Sequence, residues 1–295
     1  MSIEFYAKLL TRPTVFVLGA GASKEYGFPL GNHLKDQMVL WGARPEIQNQ
    51  LTRLGFDKTL LADFREALHR TKHPTIDIFL EYKPSFRDIG AHLIAQTLIP
   101  KEAEGSLFPQ RDWYAHLFDG LDFENDGPNA RNLAIVTLNY DRSLEHFLRR
   151  NIDYNCRESR SQFAKEKLSQ IRIVHAHGAL GVYPDVAYGK GDPDDDTVHK
   201  AATQIKIVSD RLEDSADFQD AQKTIAWAER IVFLGFGYHR QTLASLLKTS
   251  DSKGQTVLGT SHGALPDKQL LGNRPALFAD TIMDLLQKTV LEPSH

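Results

Sequence analysis

TVFVLGAGASKEYGFPLG spans residues 14 to 31. Val15, Phe16, Val17 and Leu18 make a short apolar run of the kind buried inside a sheet, and it stops at Gly19-Ala20-Gly21-Ala22-Ser23, after which the chain can turn helical. Strand, glycine turn and helix together form an anion site: glycine lets the backbone approach a phosphate, and a helix N-terminus aims unpaired N–H groups at it. The spacing departs from the dehydrogenase fingerprint, because Lys24 stands where a third glycine belongs and the next glycine is Gly27. A tight turn with no ligand explains the same letters.

Outward from this segment, residues 1 to 13 read as an amphipathic lead-in ending at Pro13, and Asn32 is placed to cap a helix running to about Trp41. From Ala43 to about Asn132 strand-like runs vanish and helical spacing takes over (Leu60, Leu61, Phe64, Leu68; Phe86, Ile89, Leu93), with breaks at Pro74, Pro84, Pro100 and Pro109. This stretch, 43–132, reads as a helical insertion. Alternation of strand and helix returns at Ala134-Ile135-Val136-Thr137, followed by Leu138-Asn139-Tyr140-Asp141 and a helix with Leu144, Phe147 and Leu148 on one face, its last turn carrying Arg149 and Arg150. Strands at Ile171–His175, Arg230–Leu234 and Thr256–Leu258 follow, with helices near Asp217–Ala228 and Gln241–Leu247, and Gly259-Thr260-Ser261-His262-Gly263 closing the last strand. The Asp-rich segment Tyr183–Thr197 reads as a solvated loop, and Pro275–Lys288 has helical spacing. Apolar strands alternating with helices imply an α/β parallel sheet covered on both faces, here a single domain over 1–295 with the insertion inside it.

Composition narrows the function classes. Thirty-five Lys and Arg against 38 Asp and Glu give a net charge of −3, so direct nucleic-acid binding through a broad basic surface is not expected. One cysteine, Cys156, excludes an internal disulfide and a multi-cysteine zinc site. No run is long and apolar enough to cross a membrane, and MSIEFYAKLL lacks the basic-then-apolar pattern of a secretion signal, which makes the cytoplasm the expected location and a membrane partner unexpected.

In a doubly wound sheet, ligands sit beyond the C-terminal strand ends. Gly19 to Ser23, Asn139 to Asp141, His175 and His177, and Gly235 to Tyr238 all follow strands, so they are expected to converge on one crevice. A phosphate-binding turn, an amide, a carboxylate and a histidine suit a nucleotide or dinucleotide. Asn139 can orient a water or a ribose hydroxyl, and His177 can take a proton near neutral pH. Each residue also has a plainer explanation: His177 as an ordinary hydrogen-bonded histidine, His175 as packing or support on the opposite side of its strand, Asp141 as a helix cap, and Tyr238 and His239 as the start of a helix. Asp77 and Glu81, four apart on an expected helix, read as an exposed pair with no assigned role.

The order GAGAS with Gly27-Phe28-Pro29, then TLNYD, HAHGAL and LGFGY, resembles the sirtuin superfamily, and within it the divergent bacterial branch that hydrolyses NAD in antiphage defence. The four blocks span residues 14 to 247. The resemblance implies an α/β Rossmann-like sheet with NAD bound as substrate across the crevice, with Gly19, Ala20, Gly21, Ala22 and Ser23 along the pyrophosphate and Pro29 at the nicotinamide end. It implies Asn139 and Asp141 at the ribose and nicotinamide, His177 as the catalytic histidine, and Gly235, Phe236 and Gly237 toward the adenosine. The implied activity is NAD glycohydrolysis by Asn139 and His177, in an effector restrained until triggered, as a homo-oligomer or with a triggering subunit. Two departures matter: Leu30-Gly31-Asn32 replaces the Asp-Phe-Arg that follows Gly-Ile-Pro in sirtuin deacylases, and one cysteine cannot build their zinc module, so no zinc is expected. The competing expectations are a protein deacylase or ADP-ribosyltransferase, and a non-catalytic subunit that binds NAD or ADP-ribose.

Overall fold

The structure, a computed structural model, describes residues 2–109, 112–125, 127–206, 215–250, 254–261 and 266–287. Its centre is a six-stranded, wholly parallel sheet built from β1 (Thr14–Leu18), β2 (Leu133–Thr137), β3 (Arg172–His175), β4 (Arg230–Leu234), β5 (Thr256–Thr260) and β6 (Ala276–Ala279), in the order β3-β2-β1-β4-β5-β6. This is the α/β Rossmann-like arrangement expected from the sequence. Chain direction across the sheet reverses between β1 and β4, and that switch point opens a crevice at the C-terminal edge.

Strand periodicity builds two cores. Phe16, Leu18, Ile135, Val232 and Leu258 face one side, while Val15, Val17, Ala134, Val136, Ile231 and Phe233 face the other. Helices Ala216–Trp227 and Arg240–Leu247 pack on the second face through Phe218, Ile225, Leu243 and Leu246. On the first face, helices Gly31–Trp41, Pro45–Arg53, Lys58–Arg70, Ile76–Tyr82, Arg87–Leu98 and Trp113–Leu121 occupy the interval between β1 and β2. Their buried residues, among them Met38, Leu51, Phe64 and Leu93, join one continuous apolar cluster with Phe16 and Ile135.

Several local expectations are corrected. The turn after β1 runs through two short 3-10 segments, Ala20–Ala22 and Lys24–Tyr26, instead of entering a helix, because Gly27 takes a left-handed φ of 90° and Pro29 follows; the α-helix begins only at Gly31. Asn32 therefore lies inside that helix, and Leu30 occupies the cap position. The helix after β2 runs to Asn155, which leaves Arg149 and Arg150 in mid-helix. The Asp-rich segment opens a further helix, Asp195–Gln204, capped by the Asp194 side chain, and Asp195 pairs with Arg53 at 2.7 Å. Residues 275–288 are not one helix: Ala276–Ala279 adds the edge strand β6 on β5, and a Thr281–Asp284 capping box starts the helix Ile282–Leu286. His262, Gly263 and Lys288 lie outside the described residues.

The turns after β1 and β4 touch backbone to backbone. Gly19 N–H donates to Leu234 O at 3.0 Å and Gly21 N–H to Gly235 O at 2.9 Å. A Cβ on Gly235, whose φ is +58°, would sit 2.1 Å from Ala22 N. Gly235→Ala is therefore expected to destabilise the protein by about 2–4 kcal/mol through left-handed strain and turn-on-turn overlap. Gly105→Ala, whose added carbon meets nothing within 4 Å, is expected to change stability by less than about 0.5 kcal/mol. Urea melts of the two variants beside the wild type check this, and coincident midpoints would refute the packing account.

Candidate functional site

A cavity of about 770 Å³ runs along the C-terminal edge of the sheet. Every strand contributes to its floor: His177 after β3, Asn139 after β2, Gly19 to Gly21 after β1, Gly235 to Tyr238 after β4, Thr260 and Ser261 at β5, and Asp280 after β6. The insertion and the start of the helix Gly31–Trp41 supply the opposite wall through Leu30, Lys72 to Thr75, Asp77, Glu81 and Trp113. A trough of this volume falls within the usual range for small-molecule and cofactor sites, about 300–1,000 Å³. Lys24, Lys35, Lys72 and Lys206 line it alongside Glu25, Glu81 and Asp280, so both signs of charge are offered to a ligand.

The glycine turns have a structural reason of their own. Cβ atoms on Gly19 or Gly21 would lie 2.7 or 2.8 Å from the Gly235 backbone, so these glycines are needed for the turns to meet, whatever occupies the cavity. The amides of Gly19, Gly21, Ala22 and Ser23 donate to Leu234, Gly235, Gly19 and Ala20 carbonyls. Glycine here serves the joint between the two halves of the sheet first.

Asn139 is fixed from behind. Its side-chain amide donates to Gly19 O and Ser23 Oγ, both at 3.0 Å, and its backbone N–H donates to Thr137 Oγ1 at 3.0 Å. With both amide hydrogens engaged, the side-chain oxygen is the group left to meet a ligand, as an acceptor. Behind Ser23 lies a buried chain: Asp141 accepts from the Ser143 hydroxyl and from its amide at 3.2 Å, and the Ser143 and Tyr114 hydroxyls are 2.7 Å apart. Burial lifts the Asp141 carboxyl above its ordinary range despite hydrogen bonds from Ser143 and Ser23. On the other flank, His175 Nδ1 donates to the Asn139 carbonyl at 3.2 Å while its Nε2 meets Glu145 Oε1 at 2.5 Å. Burial alone would lower His175, yet Glu145 beside it holds it raised, and Glu145 in turn is held low by His175 against its own burial.

His177 is buried, and its backbone is clamped in place: its carbonyl accepts from Lys206 N–H at 2.8 Å, and Gly178, at φ +72°, passes so close to Gln204 O that a Cβ would sit 1.9 Å away. Its Nδ1 lies 3.6 Å from Asp77 Oδ1. That same carboxylate oxygen accepts from the Tyr140 hydroxyl. Burial would raise Asp77, but His177 and Tyr140 hold its carboxyl below the ordinary range.

Of the residues singled out in the sequence, Gly19, Ala20, Gly21, Asn139, His177, Gly235, Phe236 and Gly237 line the cavity together. Ala22, Ser23, Pro29 and Asp141 are not among its lining residues: Ala22 accepts at its carbonyl from Trp113 Nε1 at 2.9 Å, Ser23 and Asp141 stand behind Asn139, and Leu30 to Asn32 line the wall in place of Pro29. His175 supports Asn139 through the Asn139 backbone carbonyl. Asp77 and Glu81 are a correction, since both line the cavity. Amphipathic spacing held the only clue: Ile76, Phe79 and Leu80 turn inward on that helix and leave Asp77 and Glu81 on its other face. No family model and no curated protein sequence matches the chain.

The His175–Glu145 pair gives a pH-dependent prediction. His175, raised in the folded state, stabilises fully below its unfolded pKa of about 6.5 and loses that contribution as pH rises through its folded value. Glu145, lowered, contributes above its unfolded pKa of about 4.3 and loses it as pH falls through its folded value. Glu145→Gln is expected to cost about 3 kcal/mol in the window between those pKa values, and less as pH climbs past the folded His175 value. Denaturant melts of both proteins across pH check it; a difference that grows toward alkaline pH would contradict the pairing.

Proposed function

We propose that the chain is an NAD glycohydrolase that releases nicotinamide and ADP-ribose. The observation that carries this reading is the meeting of the Asn139 amide and the His177 imidazole in one trough that continues past both glycine turns to β6. The resemblance of GAGAS, TLNYD, HAHGAL and LGFGY to the NAD-hydrolysing sirtuin-like branch supplies the ligand. An elongated trough crossing every strand end suits a dinucleotide better than a compact metabolite, and its lysines suit a pyrophosphate.

In the reaction, the bond between ribose C1′ and the nicotinamide nitrogen breaks and its electron pair stays with nicotinamide, which departs neutral from a cationic linkage. The carbon left behind is oxocarbenium-like and needs a nucleophile but no general acid. Asn139, held by Gly19 and Ser23, presents its oxygen to orient water or a ribose hydroxyl. His177 takes the proton that water gives up as its oxygen bonds to C1′. The helical insertion walls the trough opposite the strand ends, which favours water over a protein side chain as acceptor. Loss of NAD is toxic to the cell that makes such an enzyme, so the activity is held in check until self-assembly or a triggering subunit releases it, and the resemblance makes it that of a cytoplasmic antiphage-defence effector.

The test is to incubate the purified chain with NAD, alone and with candidate triggers, and to follow nicotinamide and ADP-ribose by chromatography. The two products are expected in equal amounts with water as the only acceptor. His177→Ala and Asn139→Ala are expected to retain NAD binding and lose at least about 100-fold in turnover. Absence of nicotinamide from an assembled, triggered protein removes the reading.

A further inference from the structure

His177 belongs to the sheet, whereas the carboxylate beside it arrives from the insertion. The helix Ile76–Tyr82 buries Ile76, Phe79 and Leu80, and its N-terminal Thr75 accepts from Ile78 N–H at 3.4 Å, which fixes the face that Asp77 presents. Asp77 Oδ1 stands 3.6 Å from His177 Nδ1 and is anchored by the Tyr140 hydroxyl. The other ring nitrogen, Nε2, is buried and has no hydrogen-bond partner among the described residues, in a residue that lines the cavity. An imidazole with a carboxylate at one nitrogen and an unpartnered second nitrogen has the form of an oriented base.

We propose that Asp77 is the positioning residue for His177: its carboxylate selects the tautomer protonated at Nδ1 and so leaves the Nε2 lone pair to accept the proton. The catalytic consequence rests on the hydrolase reading above; the tautomer assignment does not. A neutral imidazole carries one proton, and a carboxylate at Nδ1 draws it there because it can only accept. The separation is somewhat longer than a hydrogen bond, as catalytic contacts commonly are before substrate tightens them. Asp77 stays ionised at neutral pH, since His177 and Tyr140 outweigh its burial. The insertion thus contributes chemistry to the site besides covering it, and the base is oriented only when the helix Ile76–Tyr82 is seated against Tyr140.

The experiment uses the whole chain with ¹⁵N-labelled histidine rings. Twelve histidines are present, and the His177 signals are assigned by their loss in His177→Gln. Long-range proton–nitrogen spectra at mildly alkaline pH are expected to show the Nδ1–H tautomer at His177, turning to a mixture or to the Nε2–H form in Asp77→Asn and returning in Asp77→Glu. In parallel, kcat for nicotinamide release is expected to fall at least about tenfold in Asp77→Asn while KM changes less than about twofold. Asn matches Asp in size and is expected to be accommodated, and Asp77→Ser gives the same measurement if Asn fails to fold. An unchanged tautomer in Asp77→Asn overturns the proposal. A wild type that releases no nicotinamide under any condition, with the tautomer still dependent on Asp77, removes the hydrolase reading and leaves the Asp77–His177 assignment standing.

Discussion

The backbone contact between the turn after β1 and the turn after β4 sets the geometry of everything around it. Gly19 and Gly21 donate into Leu234 and Gly235, and neither turn has room for a side-chain carbon at the joint. The joint lies where the sheet order reverses, so it pins the floor of the crevice at the point where the two halves diverge. It also reaches the candidate site directly, because Gly19 O, held by this turn, accepts from the Asn139 side chain.

From there the site is stiffened from behind. Asn139 is gripped through its amide by Gly19 and Ser23, through its N–H by Thr137 and through its carbonyl by His175, which is itself paired to Glu145. Partly buried polar groups linked in this way leave few alternative rotamers, and shielding from water strengthens each bond while punishing any broken one. Held in this way, the Asn139 side chain keeps one position at the cavity floor.

The insertion is part of the body rather than an appendage. Its helices share one apolar cluster with the sheet, and buried Glu102, from the segment before Trp113–Leu121, pairs with buried Arg142, which also donates to Val186 O at 2.7 Å. Stacked Tyr26 and Tyr114 rings, 3.6 Å apart, join the loop after β1 to the helix Trp113–Leu121. Within that apolar cluster, Ile76, Phe79 and Leu80 seat the helix that brings Asp77, remote in the chain, beside His177.

Much of the architecture was legible in the sequence because strand periodicity and glycine placement are local. The apolar run Val15 to Leu18 and its counterparts at Ala134 and Ile231 announced buried parallel strands, and polar residues after strand ends announced a shared crevice. Local pattern failed where two periodicities overlap, as at Ala276–Ala279, whose short apolar run became a strand only by pairing with β5. It failed for Asp77 and Glu81 because an amphipathic helix reveals which residues leave the core but not what they then face. Sequence alone determined that Gly19, Asn139, His177 and Gly235 would stand at strand ends, since each lies within three residues of the end of an apolar run. Only the tertiary structure decided that Gly19 and Gly235 press on one another, that Ser23 and Asp141 stand behind Asn139, and that a carboxylate from the insertion stands beside His177. Those are long-range contacts, set by how separate elements pack, and no short stretch of chain carries them.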